Sequence, residues 1–467
     1  MKKQMELREL YPYQKIALKW MNGKKKIPLF MEMRLGKTIT AIRWAKQNNL
    51  KKVLIVCPLS IIYNWENELK LEGIPALILT QKQKSYIKLF SQLDEFWIIT
   101  NYEKIRTDLF DDYKFDCVIL DESAKIRRNG TQINKAIQEK FEDIEYKAIL
   151  SGLPAPESDL DYFNQFKFLD GHFLEFETYN AFRYRFFYSN GRGKYIPTNY
   201  AKKAIKEYLK KNAFVVSREN VNIGGKKVYE KRYITLKKEV RQLYDGLEQN
   251  FELCGEMTNW IIVARNWLHQ LCGGYPKKFE KITENHKIKE IIELLNTDLH
   301  NQQVIVWARY TKELKNIVLE LRKVGYGANL IVGATPVEKR SQICEYFNDK
   351  KFQILVCQIK CGKYGLDLSK ADTAIYYSNS WECEERTQSE DRIIHPNKTF
   401  PSLYIDLLVR NSIDEDIFYA LQEKIKNANI FGLNIYKNFM KRVFNQTITT
   451  SMEEFENAIK KETTISL

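Results

Sequence analysis

Twice along the chain, short unbroken apolar runs alternate with stretches of helical periodicity, and this rhythm constrains the fold more than any other feature. From residue 50 to 155 the runs are "KVLIVCP", "PALILT", "FWIIT", "FDCVILDES" and "YKAILSG", with "IIYNWENEL" as a helical stretch after the first. From about residue 300 come "QQVIVWARY", "YGANLIVG", "FQILVCQ", "ADTAIYYS" and "PSLYIDLLV", separated by helices such as "TKELKNIVLELRKV" and "PVEKRSQICEYFND". A strand with one wet face alternates polar and apolar residues, whereas a parallel strand covered by helices on both faces reads as a continuous apolar run. The pattern therefore predicts an α/β fold with two parallel sheets, each with helices on both faces. At 467 residues and 44% hydrophobic content, the chain can fill two sizeable cores.

Residues 1–165 are read as the first lobe and 286–425 as the second. Residues 166–285 read as a helical insertion and linker, because "YNAFRYRFFYSNGRGKYIPTNYAKK" is rich in aromatic and basic residues and poor in strand pattern. The loop signals "GRGK" and "NIGGKK" fall within it. Residues 426–467 suggest a helical tail without a motif. "MKKQMELREL" has no apolar segment of signal-peptide length, and the longest apolar run, "VLIVCPLSII", is broken by proline and too short to span a bilayer. A cytosolic monomer without membrane contact is expected. The eight cysteines form no Cys-x-x-Cys ligand set, and Cys357 and Cys361 are read as reduced core thiols. The formal net charge of +15 fits either plain solubility or a polyanionic partner.

"MEMRLGKTIT", residues 31–40, ends in Gly-Lys-Thr, the tail of a phosphate-binding loop, but Met31 stands where the pattern wants its first glycine. Context carries more weight than three letters. "IPLFMEM" has strand length, and "TITAIRWAKQN" places Ile39, Ile42 and Ala45 on one helical face, so a strand delivers the loop and a helix opens after it. Downstream, the apolar run "CVILDESAK" ends in Asp121 and Glu122. A loop lysine that steadies phosphates, one carboxylate for Mg²⁺ and a second group for the attacking water make up the chemistry of phosphoryl transfer.

At these residues the chain resembles superfamily 2 helicases, and within them the Swi/Snf-like branch of double-stranded-DNA translocases. "LYPYQKIALKWM" is similar to its adenine-reading Gln motif, with Gln14 in place, and "MEMRLGKT" to the branch's own P-loop, which also lacks the first glycine. "VCPLSIIYNWENEL", "ITNYEK", "DESAKI" and "LSGLPAPESDLDYFNQFKFL" follow in the family's order, then "VIVWARYTKEL", "GATPVEKRSQICEYFND" and "CQIKCGKYGLDLSKADTAIYYSNSWECEERTQSEDRIIHP". The matches cover residues 7–170 and roughly 300–420. The resemblance implies two RecA-like lobes in tandem that hydrolyse ATP in the cleft between them and move along DNA, duplex in that branch, by closing on ATP and opening on product release. It implies use in repair, recombination, replication or transcription with recruiting proteins, and the compact Lys-, Ile- and Asn-rich chain points to a phage or mobile element.

Carried over residue by residue, Arg34, Leu35, Gly36, Lys37 and Thr38 form the nucleotide loop, and Thr38 and Asp121 hold Mg²⁺. Glu122 positions water, Gly365 and Asp367 sense nucleotide, and Gln388 and Arg392 belong to the last motif. Pro58, Ser60, Trp65, Asn101 and Tyr102 face nucleic acid in the first lobe. In the second lobe Trp381 lies against duplex or anchors a loop, and Arg340, Lys360 and Lys363 line a phosphate track or are solvated charges. Three positions depart from the pattern. Arg34 stands for a glycine, and Ala124 for the histidine that would couple the ATP site to "LSGLP". His395 falls where the finger arginine sits, with Arg392 or Arg386 as alternatives. Histidine near neutrality is only partly protonated, so a histidine finger predicts turnover that declines on the alkaline side. Two rivals remain: a strand-separating helicase on single-stranded DNA or RNA, and an ATP-gated DNA clamp that hydrolyses weakly.

Overall fold

The apolar runs of the first block form strands β1 (Lys26–Met31), β2 (Lys52–Cys57), β3 (Ala76–Leu79), β4 (Phe96–Asn101), β5 (Cys117–Asp121) and β6 (Tyr146–Ser151). A hairpin of β7 (Phe187–Ser189) and β8 (Tyr195–Pro197) follows, and then β9 (Phe214–Val216). The computed structural model describes residues 8–79, 93–111, 113–191, 195–221, 223, 225–250, 252–253, 256–257, 261–275, 285–395 and 397–428. Two units result, one reaching Ile223 and the other running from Gly224 to Lys426.

In the first unit the sheet order is β3-β4-β2-β5-β6-β1-β9, with every pairing parallel. The side chains of β2 show why the run had to be continuous. Val53, Ile55 and Cys57 enter one core with Ile42 and Trp44 of the helix Lys37–Gln47 and Trp65 and Leu69 of the helix Ile62–Leu71. Leu54 and Val56 enter the opposite core with Ile137 of the helix Gln132–Lys140 and Phe163 and Phe166 of the helix Tyr162–Asp170. Because all strands run one way, the loops after β1, β5 and β6 emerge on one edge, the carboxyl edge where such sheets bind ligands.

The second unit contains β10 (Lys227–Ile234), the two-residue strands β11 (Glu252–Leu253) and β12 (Glu256–Met257), then β13 (Val304–Ala308), β14 (Ala328–Ile331), β15 (Ile354–Gln358), β16 (Thr373–Tyr376) and β17 (Ser402–Val409). Its main sheet has the order β10-β17-β16-β13-β15-β14, again parallel throughout. Val304 and Val306 face one core while Ile305 and Trp307 face the other.

The segment 166–285 departs from the helical expectation. It does hold the helices Tyr179–Phe186, Asn199–Asn212, Lys238–Asn250 and Ile261–Cys272. It also supplies β9 to the first sheet and β10, an edge strand, to the second. β9 is only three residues long, and β10 ("KVYEKRYI") is broken by charges, as edge strands commonly are, so neither presents an apolar run. The expected tail lies outside the described residues beyond the helix Ile413–Ala428. Among the described residues no helix is long and apolar enough to cross a membrane. The seven described cysteines, Cys357 and Cys361 among them, are buried and form no disulfide.

Candidate active site

The loop after β1 is built around backbone geometry. Gly36 caps the helix Lys37–Gln47 at φ 75°, and a Cβ there would collide with the Gln14 amide. Gln14 is buried, accepts from the Tyr11 N–H (2.9 Å) and donates Nε2 to the Leu35 carbonyl (3.1 Å). It therefore bridges the start of its own helix to the loop. Arg34 has φ 65°, the left-handed conformation that the usual glycine adopts freely and a side chain adopts at about 1–2 kcal/mol. The loop's shape is retained with the strain built in. Lys37 Nζ donates to the Met31 carbonyl (2.9 Å), and a Cβ on Gly152, in "LSGLP", would stand 3.5 Å from that ammonium. The loop after β6 thus reaches Lys37. Thr38 opens the helix beside it, half-buried.

Asp121 ends β5 with its carboxylate buried. Oδ2 accepts the Trp65 indole N–H at 2.8 Å, and Oδ1 accepts the Glu122 N–H at 2.9 Å. Burial pushes this carboxyl up, opposed by the charge of Lys37 and by the two N–H donors. Glu122, at φ 52°, turns the chain sharply after the strand. Strain of this kind collects at functional sites.

Two residues expected to face nucleic acid belong to this site instead. Trp65 is 1% exposed and grips Asp121, and Tyr102 is 2% exposed with its hydroxyl donating to the Asp121 carbonyl (2.7 Å). A buried indole or phenol needs a partner for its polar tip, and both find it on one residue. Asn101 is also buried and donates to Glu103 (2.6 Å). Pro58 and Ser60, at the start of the short turn Leu59–Ile61, remain half-exposed.

Ala124, which stands in place of the expected histidine, is buried. Its neighbour Ser123 donates Oγ to Gln165 Oε1 (2.7 Å), and Gln165 Nε2 donates to the carbonyls of Pro154 (2.7 Å) and Asp161 (2.8 Å). Ser123 and Gln165 have no solvent exposure. A buried amide therefore ties "DESA" to "LSGLP". Sequence reasoning quoted the segment "LSGLPAPESDLDYFNQFKFL" without singling out Gln165. It also missed Glu32, whose carboxylate accepts the Arg218 N–H (2.8 Å) and pairs with the Arg218 guanidinium, joining the loop's first turn to the end of β9.

In the second unit Gly365 ends the turn Ile359–Tyr364 at φ 67°, and Asp367 is exposed, its Oδ1 accepting the Ser369 N–H (3.3 Å). Gln388 and Arg392 are buried at and beyond the end of the helix Cys383–Glu390. Gln388 Nε2 donates to Glu384 (3.3 Å), while its Oε1 has no hydrogen-bond partner among the described residues. His395 is half-buried, and its Nδ1 accepts the Asn397 N–H (3.2 Å). That contact uses a lone pair that an imidazolium lacks, so a charged finger would first have to break it.

Arg386, the other alternative for the finger, is engaged inside its own unit. It is 1% exposed, bonds Asp406 (NH2 to Oδ2, 2.9 Å) and Glu390 (2.7 Å), and lies over the Tyr376 ring at 3.4 Å. Its charge is spent inside the unit. Arg340, expected on a phosphate track, is likewise buried and donates to the Gly333 carbonyl (2.7 Å). Lys360 is exposed, and the Lys363 side chain lies outside the described residues. Trp381 packs against the unit's core, which favours its loop-anchoring role.

A phosphate-binding loop and a strand-end carboxylate on one parallel sheet, followed by a second parallel α/β unit, define a helicase-type nucleotide-binding core. Residues 13–324 match the SNF2-related domain and residues 286–397 the helicase conserved C-terminal domain. The chain belongs to the SNF2 family of superfamily 2 helicases. It is 23% identical over 443 residues to an uncharacterized ATP-dependent helicase of Mycoplasma pneumoniae, covering 90% of this chain and 42% of that protein. A Mycoplasma genitalium counterpart is 21% identical, with 93% and 43% covered. The chain thus spans less than half the length of these relatives. The Pyrococcus furiosus Hef helicase domain shares the fold at a TM-score of 0.53 and 15% identity, covering 90% of this chain and 99% of that one.

Proposed function

We propose that the protein is an ATP-driven motor that moves along nucleic acid, with duplex DNA as its track. The observation that carries this reading is the placement of Lys37, at the start of the helix after β1, and Asp121, at the end of β5, on the carboxyl edge of one parallel sheet in a chain of the SNF2 family. The Lys37 ammonium and the free N–H groups at the start of its helix bind the β- and γ-phosphates. The Thr38 hydroxyl and the Asp121 carboxylate are hard oxygen donors of the kind Mg²⁺ takes, and they would hold it. The metal, when bound, offsets charge on the phosphoryl oxygens. Trp65 and the Glu122 N–H keep the Asp121 carboxylate in one orientation, and Glu122 orients the attacking water.

ATP hydrolysis compared side by side with duplex DNA, single-stranded DNA, RNA and no nucleic acid tests the reading. Duplex should stimulate most, and Lys37→Ala should abolish hydrolysis while leaving DNA binding nearly intact. Equal turnover under all four conditions would refute a motor. Stimulation by single strands with displacement of an annealed strand would instead assign a strand-separating helicase, and DNA binding with negligible phosphate release would assign a clamp.

A further inference from the structure

Between Tyr179 and Asn212 the sequence carries nine Lys and Arg residues against one Glu, and the site above uses none of them. The helix Tyr179–Phe186, the hairpin β7–β8 and the helix Asn199–Asn212 form one platform. Its base is fixed, because Phe182, Phe186, Phe187, Ala201, Ile205 and Leu209 are buried in a single core. Its outer side is aromatic. Tyr184 is 77% exposed, Tyr200 63%, Tyr188 54% and Tyr195 37%.

Guanidinium groups join these rings into one surface. Arg183 lies 5.0 Å from the Tyr184 ring and 4.7 Å from that of Tyr195, and Arg185 lies 5.9 Å from Tyr200. Tyr200 in turn packs at 5.6 Å on Phe186, so the second helix begins against the end of the first. From there Lys202, Lys203 and Lys206 run along its exposed face.

Large aromatic faces left in water beside cations are matched by a ligand that offers flat π-faces and regular negative charge together. An unpaired polynucleotide does so, since its bases stack on aromatic rings while its phosphates meet Lys and Arg. Inside a duplex the base faces already stack on one another. Lysines alone would serve that partner, and the tyrosines would find nothing to cover them.

We propose that this platform is a second nucleic-acid-binding surface that takes a single strand, with Tyr184 and Tyr200 stacking on bases and Lys202 and Lys206 neutralising phosphates. It goes beyond the motor reading and does not require hydrolysis.

Fluorescence anisotropy with labelled oligothymidylate and a labelled blunt duplex, on the full chain without nucleotide, tests it. Tyr184→Ala/Tyr200→Ala should weaken oligothymidylate binding by at least about tenfold and duplex binding by less than about twofold, whereas Tyr184→Phe/Tyr200→Phe should retain both. Lys202→Gln/Lys206→Gln should flatten the logarithmic salt dependence of oligothymidylate binding by about 1.4. Unchanged oligothymidylate affinity in the alanine variant, or equal losses for both ligands, overturns the proposal. Duplex-stimulated hydrolysis should be the same in all these variants and reads the motor separately. Its absence from the parent protein would defeat the motor reading and leave the anisotropy result to decide this one.

Discussion

Gln165→Leu should destabilise the first unit, because it orphans two buried groups at once. The Ser123 hydroxyl loses its acceptor, and the Pro154 carbonyl loses a donor that no helix replaces. The Asp161 carbonyl sits one helical turn before Gln165 and can be served by the helix backbone. A buried polar group left unpaired costs about 1–3 kcal/mol, so the variant should lose about 2–6 kcal/mol. Ser123→Ala alone orphans only the Gln165 Oε1, at about 1–3 kcal/mol. The double variant leaves just the Pro154 carbonyl unpaired and should be more stable than Gln165→Leu by about 1–3 kcal/mol. Urea unfolding of the four proteins, followed by a probe in the first unit, measures the cycle. Losses in the double variant equal to the sum of the singles would refute the bridge. If the bridge also couples "DESA" to "LSGLP", the ratio of nucleic-acid-stimulated to basal hydrolysis should fall in Gln165→Leu and in Ser123→Ala alike.

Arg386→Gln should destabilise the second unit by about 3–5 kcal/mol in urea unfolding, because it leaves the buried Asp406 carboxylate without its counter-charge. A finger arginine would instead lose turnover at unchanged stability. Glu313 is fully buried, and burial pushes its carboxyl up to about 7 against the bonds from Ser378 and the Tyr310 N–H. The folded form therefore holds a proton that the unfolded chain has released above its ordinary value near 4.5, so stability should fall as pH rises from about 4.5 to about 7, by a few kcal/mol. Glu313→Gln should flatten that slope, and a parallel pH dependence in the variant would rule out Glu313 as its source. At Arg34, where φ is 65°, Arg34→Gly should be more stable than Arg34→Ala by about 1 kcal/mol, since both lose the side chain and only glycine relaxes the backbone. Equal stabilities would show that the loop carries no strain there.

The sequence by itself determined the two parallel sheets and the phosphate-binding edge of the first, for a local reason. A strand covered on both faces must be apolar at every position, and the loop, the lysine and the strand-end carboxylates each depend on neighbours a few residues away. The partners of those groups depend on contacts across the fold. Trp65 lies 56 residues from Asp121 in the chain, and Ser123 lies 42 from Gln165, so no spacing rule could foretell that an indole serves a carboxylate or that an amide bridges "DESA" to "LSGLP". A buried polar atom takes whichever partner the packing brings to it. The same holds for the arginines. In sequence nothing says whether the charge of Arg340 or Arg386 faces a ligand or the protein interior. Only the packing of β17 and Tyr376 around Arg386, and of the Gly333 loop around Arg340, decided which charges are already spent inside the protein. The two short or charged strands at the sheet edges, β9 and β10, stayed hidden for the complementary reason: an edge needs no apolar run, and its pairing is set by the neighbouring strand rather than by its own composition.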